Sequence, residues 1–229
     1  MNKIICLFFI RFHPLSFIPH PFVMALPQEK LLFSPEQYLE FEREAEERSE
    51  YYDGYTVKMA GESLSHSRIC VNLAREVSTI LRGKTCEALS PNMKVRSENK
   101  GMFAYPDLTV VCGEPVFHDR QRDVLLNPRV IFEVLSPSTE KFDRGAKFMR
   151  YQSKLPSLSD YILVSQDVPF IEHYARQKRG GWLYVSIFGT ENSLRIDSID
   201  CTIRLSEIYE RVEFDEKQMS DFLDDAEEE

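Results

Sequence analysis

The sequence has few cysteines, and their spacing matches neither a disulfide framework nor a zinc motif. The chain of 229 residues holds five, an odd number, and no two of them form a CxxC pair. Disulfide-rich secreted domains and structural zinc sites need denser clusters. We therefore expect a protein of the reducing cytoplasm. The five are Cys6, Cys70, Cys86, Cys112 and Cys201.

The chain also lacks an internal repeat and an apolar run long enough to span a bilayer. In the opening segment "MNKIICLFFIRFHPLSFIPHPFV", Arg11 ends the apolar run after Ile10, and no small-residue cleavage site follows. A signal or anchor is the less favoured alternative for this segment. We expect residues 1–23 to be a dispensable extension, the functional chain to begin at Met24, and no membrane association.

The formal net charge of -9 comes from one end of the chain. Residues 207–229 hold 11 of the 37 acidic residues and two of the 28 basic ones, so the remainder is neutral. The overall charge therefore does not exclude a nucleic-acid partner. We expect a single domain over 24–214, followed by an acidic, disordered tail over 215–229.

Local patterns predict helices and strands in a mixed order. Ser34 and Gln37 have capping-box spacing and start a helix that should run to about Ser49. Asp53-Gly54 indicates a turn, and apolar residues at helical spacing predict a second helix from 66 to 83. Further strands are expected at 55–60, 105–111, 129–135, 160–166, 170–176 and 182–189, and a further helix at 139–154.

Two of these predicted strands carry an acid among apolar residues. Asp107 stands in "YPDLTVV", and Glu133 stands in "RVIFEVLSPS" on the same face as Ile131 and Leu135. A carboxylate removed from water costs several kcal/mol unless it is paired or bound to a cation. Spacing alone leaves three explanations open, namely an ion-pair network, a solvent-facing strand edge and a metal site.

The segments "FAYPDLTVV" and "NPRVIFEVLSPSTEKFDRGAKFMRY" closely resemble the Uma-two restriction endonuclease family, within the PD-(D/E)XK nuclease superfamily. The resemblance extends from about Leu31 to Phe214 and includes "ERSEYYDGYTVKMAGE" and "HSRICVNLAREV". It implies an α/β protein with the restriction-endonuclease-like fold, in which helices flank a mixed central β-sheet. It also implies a metal-dependent endonuclease that hydrolyses DNA phosphodiester bonds.

The resemblance implies a site residue by residue. Asp107 and Glu133 match the two acids of the superfamily motif, and Glu50 resembles its additional N-terminal acid, so these three would bind Mg²⁺ or Mn²⁺. The motif lysine is missing, because Leu135 stands two residues after Glu133. The family resemblance places the catalytic lysine at Lys147 instead. The alternative is a solvated basic helix face in which Lys147 pairs with Asp143.

Basic residues near the motif suggest contacts to DNA. Arg144 and Lys154 lie at helical spacing from Lys147, and Lys94 and Arg96 precede the first acid-bearing strand. His66 could position a water or a substrate, although capping or packing is the more common role at the start of a helix. A catalytically inactive binding module and a phosphoesterase for small substrates remain alternative functions. A homodimer is possible.

Overall fold

The computed structural model describes residues 32–97 and 101–227, with side chains as far as residue 224. The predicted extension over 1–23 lies outside the described residues. Within them, no helix is both long enough and apolar enough to cross a membrane. The helices are α1 Pro35–Glu44, α2 Leu64–Leu81, α3 Glu140–Phe142, α4 Phe148–Lys154, α5 Leu205–Ile208 and α6 Glu216–Glu227.

The described strands form two larger sheets and a two-stranded ribbon. The five-stranded sheet has the order β2-β1-β5-β4-β7, the six-stranded sheet has the order β11-β10-β9-β8-β6-β3, and β12 pairs with β13. Most pairs are antiparallel, but β8 and β9 are parallel, as are β4 and β7. The strands are β1 Ser49–Tyr52, β2 Tyr55–Lys58, β3 Cys86–Leu89, β4 Lys94–Ser97, β5 Met102–Ala104, β6 Leu108–Cys112, β7 Val124–Leu125, β8 Val130–Leu135, β9 Asp160–Ser165, β10 Phe170–Arg176, β11 Trp182–Phe188, β12 Ser193–Ile196 and β13 Cys201–Arg204.

The six-stranded sheet is buried on both faces, and this explains the nearly continuous apolar run of β8. Val130, Phe132 and Val134 face a core formed with α2, α5 and the β12–β13 ribbon. Ile131 and Leu135 face the opposite core, which includes residues of α4. Glu133 alternates with this second set, so its carboxylate is directed into the protein. The mixed α/β architecture predicted from the sequence is confirmed.

The first helix begins as predicted but ends sooner. Ser34 and Gln37 form the reciprocal capping box, whereas Ala45 is already extended and the helix ends at Glu44. The Glu42 carboxylate accepts the Ser49 N–H, and residues 49–52 pair with two neighbouring strands. The helix prediction to Ser49 was therefore wrong, because tertiary pairing draws these residues into a sheet. Glu50 consequently lies on β1.

Two further sequence predictions were wrong. Cys86 and Cys112 are opposite each other on β3 and β6 and form a disulfide, although 25 intervening residues separate them in the chain. The acidic tail, predicted to be disordered, forms α6 over Glu216–Glu227. Phe222 of α6 stacks on Phe188 and contacts Phe170 at a tilt, so one aromatic side chain supplies an apolar contact that the acidic composition of the segment did not indicate.

Candidate active site

The acids predicted from the sequence meet where the chain passes from one sheet to the other. Tyr105, Pro106 and Asp107 connect β5 of the five-stranded sheet to β6 of the six-stranded sheet. Glu50 approaches this connection from β1, since its Oε1 accepts the Tyr105 N–H at 2.9 Å. Asp107 Oδ2 accepts the Val134 N–H at 2.7 Å, and Val134 is the residue that follows Glu133 on β8. This connection between the two sheets, which we call the junction, therefore has acids from both sheets beside it.

Lys147 supplies a single ammonium group to these acids. Its Nζ lies 2.9 Å from Glu133 Oε1, 3.5 Å from Glu50 Oε1 and 3.3 Å from Asp143 Oδ1. Glu133, Asp143 and Lys147 are each at most 4% exposed. The predicted Asp143–Lys147 pair is present, but both groups are buried, so the alternative of a solvated basic face was wrong.

A π-helical segment, Asp143–Lys147, places Lys147 at this position. It interrupts the predicted helix of residues 139–154 between α3 and α4. A π-helical turn contains an extra residue, which rotates the side chains that follow it, and such turns are frequent at functional sites. Asp143 and Lys147 both point inward from the segment, while the Asp143 carbonyl accepts the Tyr161 hydroxyl at 3.1 Å. The segment is thus anchored to β9.

Negative charge exceeds positive charge at the junction. Burial raises the pKa of Glu133 well above its usual range, and the neighbouring carboxylates of Asp143, Asp107 and Glu50 add to the effect that Lys147 opposes. Burial also raises the pKa of Asp107, although His66 and the Val134 N–H partly offset it. Burial alone would lower the pKa of Lys147, but Glu133 and Glu50 outweigh burial and raise it. The lysine therefore stays charged, and the surplus of acid calls for a further proton or cation.

The donor atoms suit a hard divalent cation. Carboxylate oxygens are the ligands that Mg²⁺ prefers, and Glu133 Oε1 is buried without a hydrogen-bond partner despite its ion pair with Lys147. The Tyr52 hydroxyl donates to Glu50 Oε2 and orients that carboxylate. Among the described residues, however, the oxygens of Glu50, Asp107 and Glu133 do not gather within 4.8 Å of one another. The set fits a cation in its chemistry, with Lys147 providing part of the neutralisation.

His66 lies next to one of the acids, whereas Leu135 is buried among apolar side chains. His66, on the first turn of α2, places Nε2 3.6 Å from Asp107 Oδ2, and its side chain is 12% exposed. Leu135 stands at the motif position for lysine but is 3% exposed within an apolar core that includes Tyr52 and Tyr151. A lysine at 135 would carry its charge into that core. Lys147, from the π-helical segment, reaches Glu133 instead.

Two of the predicted DNA-binding residues lie away from Lys147. Lys94 and Arg96 alternate on β4 with Val95, which packs in the core beside Leu135, so their side chains leave the opposite face. Lys94 is 5% exposed and lies 3.1 Å from Asp123 Oδ2, and Arg96 packs against His118 and Phe103. The burial of Lys94 does not fit a role in phosphate binding.

The other two predicted DNA-binding residues differ in their availability. Arg144 is engaged by Glu140 and Glu172, each at 2.7 Å. Lys154 at the end of α4 is exposed and lines an open groove with Met149 and Arg150. Of the four predicted basic residues, Lys154 is therefore the one best placed for a contact with an external phosphate.

The Lys94 contact leads to a prediction about stability. Asp123 accepts a hydrogen bond from the Arg43 guanidinium at 2.7 Å and lies 3.1 Å from Lys94 Nζ. These two cations lower the pKa of Asp123 from 3.8 to about 2. Because the folded pKa is depressed, the stabilisation is present above the unfolded pKa and is lost as pH falls towards 2. We expect Asp123→Asn to cost on the order of 1–2 kcal/mol at pH 7 after allowance for solvent screening. Urea unfolding should show this difference shrinking between pH 4 and pH 2, whereas a constant difference would contradict it.

Sequence reasoning missed three partners of the predicted residues, namely Tyr52, Glu62 and Cys70. Tyr52 escaped notice because a tyrosine next to a turn carries no chemical signature by itself. Glu62 and Cys70 stand four residues on either side of His66, with Cys70 one turn along α2 and Glu62 just before its N-cap. That spacing is visible in the sequence and could have identified the group.

Comparisons with known proteins identify the family of this chain and agree with its fold. The sequence profile of the Uma2 family, described as "Putative restriction endonuclease", matches residues 35–206. Two uncharacterized proteins of Synechocystis are 36% and 32% identical over 79% and 73% of this chain, and over 93% of each relative. A crystal structure from Anabaena variabilis, described as a "putative nuclease belonging to DUF820", superposes with a TM-score of 0.64 at 14% identity. The superposition covers 77% of this chain and 97% of that one.

Proposed function

This chain belongs to the Uma2 family, and from that premise we propose that it is a metal-dependent endonuclease that hydrolyses phosphodiester bonds in DNA. One observation carries the proposal. Lys147 and Glu133 form a buried ion pair within a surplus of carboxylates. Maintaining such a group is costly for a purely structural purpose, and strongly perturbed ionisable groups concentrate at functional sites.

Each residue of the site has a part that follows from its contacts. Glu133 provides an oxygen from β8, Asp107 provides one from the residue just before the neighbouring strand β6, and Glu50 adds a third from the other sheet. Val134 N–H and the Tyr52 hydroxyl hold two of these carboxylates in place. Lys147 keeps its proton and can donate hydrogen bonds to the attacking water or to a phosphate oxygen. Asp143 holds the lysine from within its own helical turn.

Glu50, Asp107 and Glu133 would hold Mg²⁺ or Mn²⁺. Such a cation supplies activation of a water molecule and neutralises the charge that develops on the phosphate oxygens. Its binding would also offset the carboxylate repulsion that raises the pKa of Glu133. Metal binding and the ionisation of the acids are therefore expected to be linked.

A catalytically inactive module that binds nucleic acid or protein is the second candidate. Two observations favour it. Leu135 is built into an apolar core at the usual lysine position, and the Lys147 ammonium already partly neutralises the acids. In that function, the ion-pair network would serve only to join the two sheets.

A cleavage assay distinguishes the two candidates. Purified full-length protein would be incubated with supercoiled plasmid and with single-stranded DNA, in Mg²⁺, in Mn²⁺ and in chelator. Cutting that chelator stops supports the enzyme, and Glu133→Gln must lack it if the site is the one described. Retardation of DNA without cutting in any metal would select the binding module. Gel filtration with and without DNA would test the predicted homodimer.

Lys154 offers a test of the DNA-binding surface. Because it is exposed beside the groove at α4, Lys154→Gln should weaken DNA binding on any sequence and reduce the salt dependence by about one phosphate contact. Fluorescence anisotropy over a range of salt concentrations would measure both quantities. Lys178→Gln, in the exposed turn after β10, is the matched control and should change neither. Equal effects of the two variants would count against a defined surface.

A further inference from the structure

A second group of possible metal ligands lies at the start of α2, with Glu62 just before the N-cap Ser63 and with His66 and Cys70 on the helix. Glu62, His66 and Cys70 each offer one ligand atom, and these three atoms lie within 4.8 Å of one another. The group combines oxygen, nitrogen and sulfur. These donors differ from the three carboxylates discussed above, and a thiolate with an imidazole selects a softer metal than Mg²⁺.

The separations of His66 Nδ1 from the other two donor atoms are close to those around a tetrahedral ion. His66 Nδ1 lies 3.1 Å from Glu62 Oε2 and 3.4 Å from Cys70 Sγ. Zinc bonds to nitrogen, oxygen and sulfur measure about 2.0–2.3 Å, so donors in a tetrahedron stand roughly 3.3–3.8 Å apart. Only small side-chain shifts would therefore be needed to receive the ion.

The start of the helix explains why the three donors converge. His66 and Cys70 are four residues apart on α2 and therefore lie on one side of the helix, about one turn apart. Glu62 precedes the N-cap Ser63, which accepts the His66 N–H, and its carboxylate reaches His66 Nδ1 from outside the helix. His66 stands in the middle of the group and is 12% exposed, while the side chain of Glu62 is 53% exposed. The site therefore opens towards solvent on the side of Glu62, where water could complete the coordination.

The position of the second ring nitrogen of His66, Nε2, also supports a metal-binding role for Nδ1. Nε2 faces Asp107 Oδ2 at 3.6 Å, on the opposite side of the ring from Glu62. A histidine that binds metal commonly directs its other N–H at a carboxylate, which selects the tautomer and orients the ring. In this arrangement Asp107 attracts the proton to Nε2, and the lone pair of Nδ1 remains for the cation.

We propose that Glu62, His66 and Cys70 form a binding site for a thiophilic divalent cation such as Zn²⁺. The Cys70 S–H bond breaks as the sulfur–metal bond forms, and its proton passes to solvent, so no redox partner is required. Glu62 supplies a carboxylate oxygen and His66 supplies Nδ1. The site is distinct in its donor atoms from the carboxylate site, but His66 places it in contact with Asp107.

Co²⁺ is a suitable probe because a cobalt–thiolate bond produces a charge-transfer absorption band. The full-length protein titrated with Co²⁺ should develop this band at one equivalent, and Zn²⁺ should displace it. Cys70→Ala should remove the band, and Zn²⁺ should bind that variant more weakly by about 10-fold or more. Cys201→Ala is the matched control, since it removes the other free cysteine of the described residues and should retain the band.

Two results would overturn the proposal, namely a band that survives in Cys70→Ala and the absence of a band in the unmodified protein. If Cys70→Ala does not fold, His66→Gln decides, because it leaves the thiol present while removing the central ligand. Zinc should also slow DNA cleavage through Asp107, a consequence that rests on the proposed function. The absorption band does not depend on cleavage, so failure of one would not be mistaken for failure of the other.

Discussion

Glu133→Gln should abolish DNA cleavage and remove the stabilisation of the fold by Mg²⁺. Glutamine preserves the shape of the side chain but cannot supply a charged ligand to a cation or a counter-charge to Lys147, 2.9 Å away. Mg²⁺ binding to the folded protein raises its melting temperature by mass action, and this increase should disappear together with cleavage. Loss of both the ligand and the orientation of the lysine is expected to lower the rate by roughly three orders of magnitude or more.

The fold of this variant should survive. Lys147 retains Glu50 and Asp143 as partners, and a neutral amide is easier to bury than a surplus carboxylate. Thermal melts in chelator and in Mg²⁺, combined with the plasmid assay, would measure the three quantities. Glu172→Gln is the control, because Glu172 is also buried but pairs with Arg144. Full Mg²⁺ stabilisation and full activity in Glu133→Gln would show that the strand acids are structural.

Lys147→Met should destabilise the metal-free protein and eliminate cleavage. Methionine fills a similar volume without the charge, and it leaves three carboxylates that Lys147 contacts without their cation. Removal of one partner from a buried ion pair typically costs about 3–5 kcal/mol. Removal of an exposed lysine would cost little stability, so the large expected loss follows from the burial of Lys147.

The loss should depend on pH and on metal. The pKa of Glu133 is raised in the folded protein, so its neutral form is tolerated at low pH, and the penalty grows as pH rises from the unfolded value of 4.5 towards the raised pKa. The difference between Lys147→Met and the unmodified protein should thus be larger at pH 8 than at pH 5. Mg²⁺ should restore more stability to the variant than to the unmodified protein, because it replaces a missing positive charge.

Urea unfolding at the two pH values, with chelator and with Mg²⁺, would measure these differences. Lys154→Met provides the control, since this lysine is exposed at the end of α4 and should change stability by less than about 0.5 kcal/mol. A Lys147→Met variant as stable as the unmodified protein at pH 8 in chelator would mean that the ammonium does not compensate the acids. Retained cleavage would exclude Lys147 as a catalytic residue.

Local patterns in the sequence were sufficient to place Glu133 within β8 and to predict the face on which it lies. Strand alternation placed Glu133 with Ile131 and Leu135, and these residues do share a face of β8. The capping box located the start of α1, and Asp53-Gly54 forms the two-residue turn between β1 and β2, with positive φ at both positions. Such features depend on local periodicity and local backbone preference, so neighbouring residues suffice to predict them.

Which of these groups come into contact depends on how distant parts of the chain pack together. Glu50 reached the site from a strand because residues 49–52 found pairing partners at 55–58 and 102–103, which local propensity could not reveal. Cys86 met Cys112 for the same reason. Lys147 is a buried partner of three acids, whereas Lys94, equally basic, pairs with Asp123 on the other side of a sheet. The charge of a lysine is written in the sequence, but its burial and its partners depend on contacts between residues far apart in the chain.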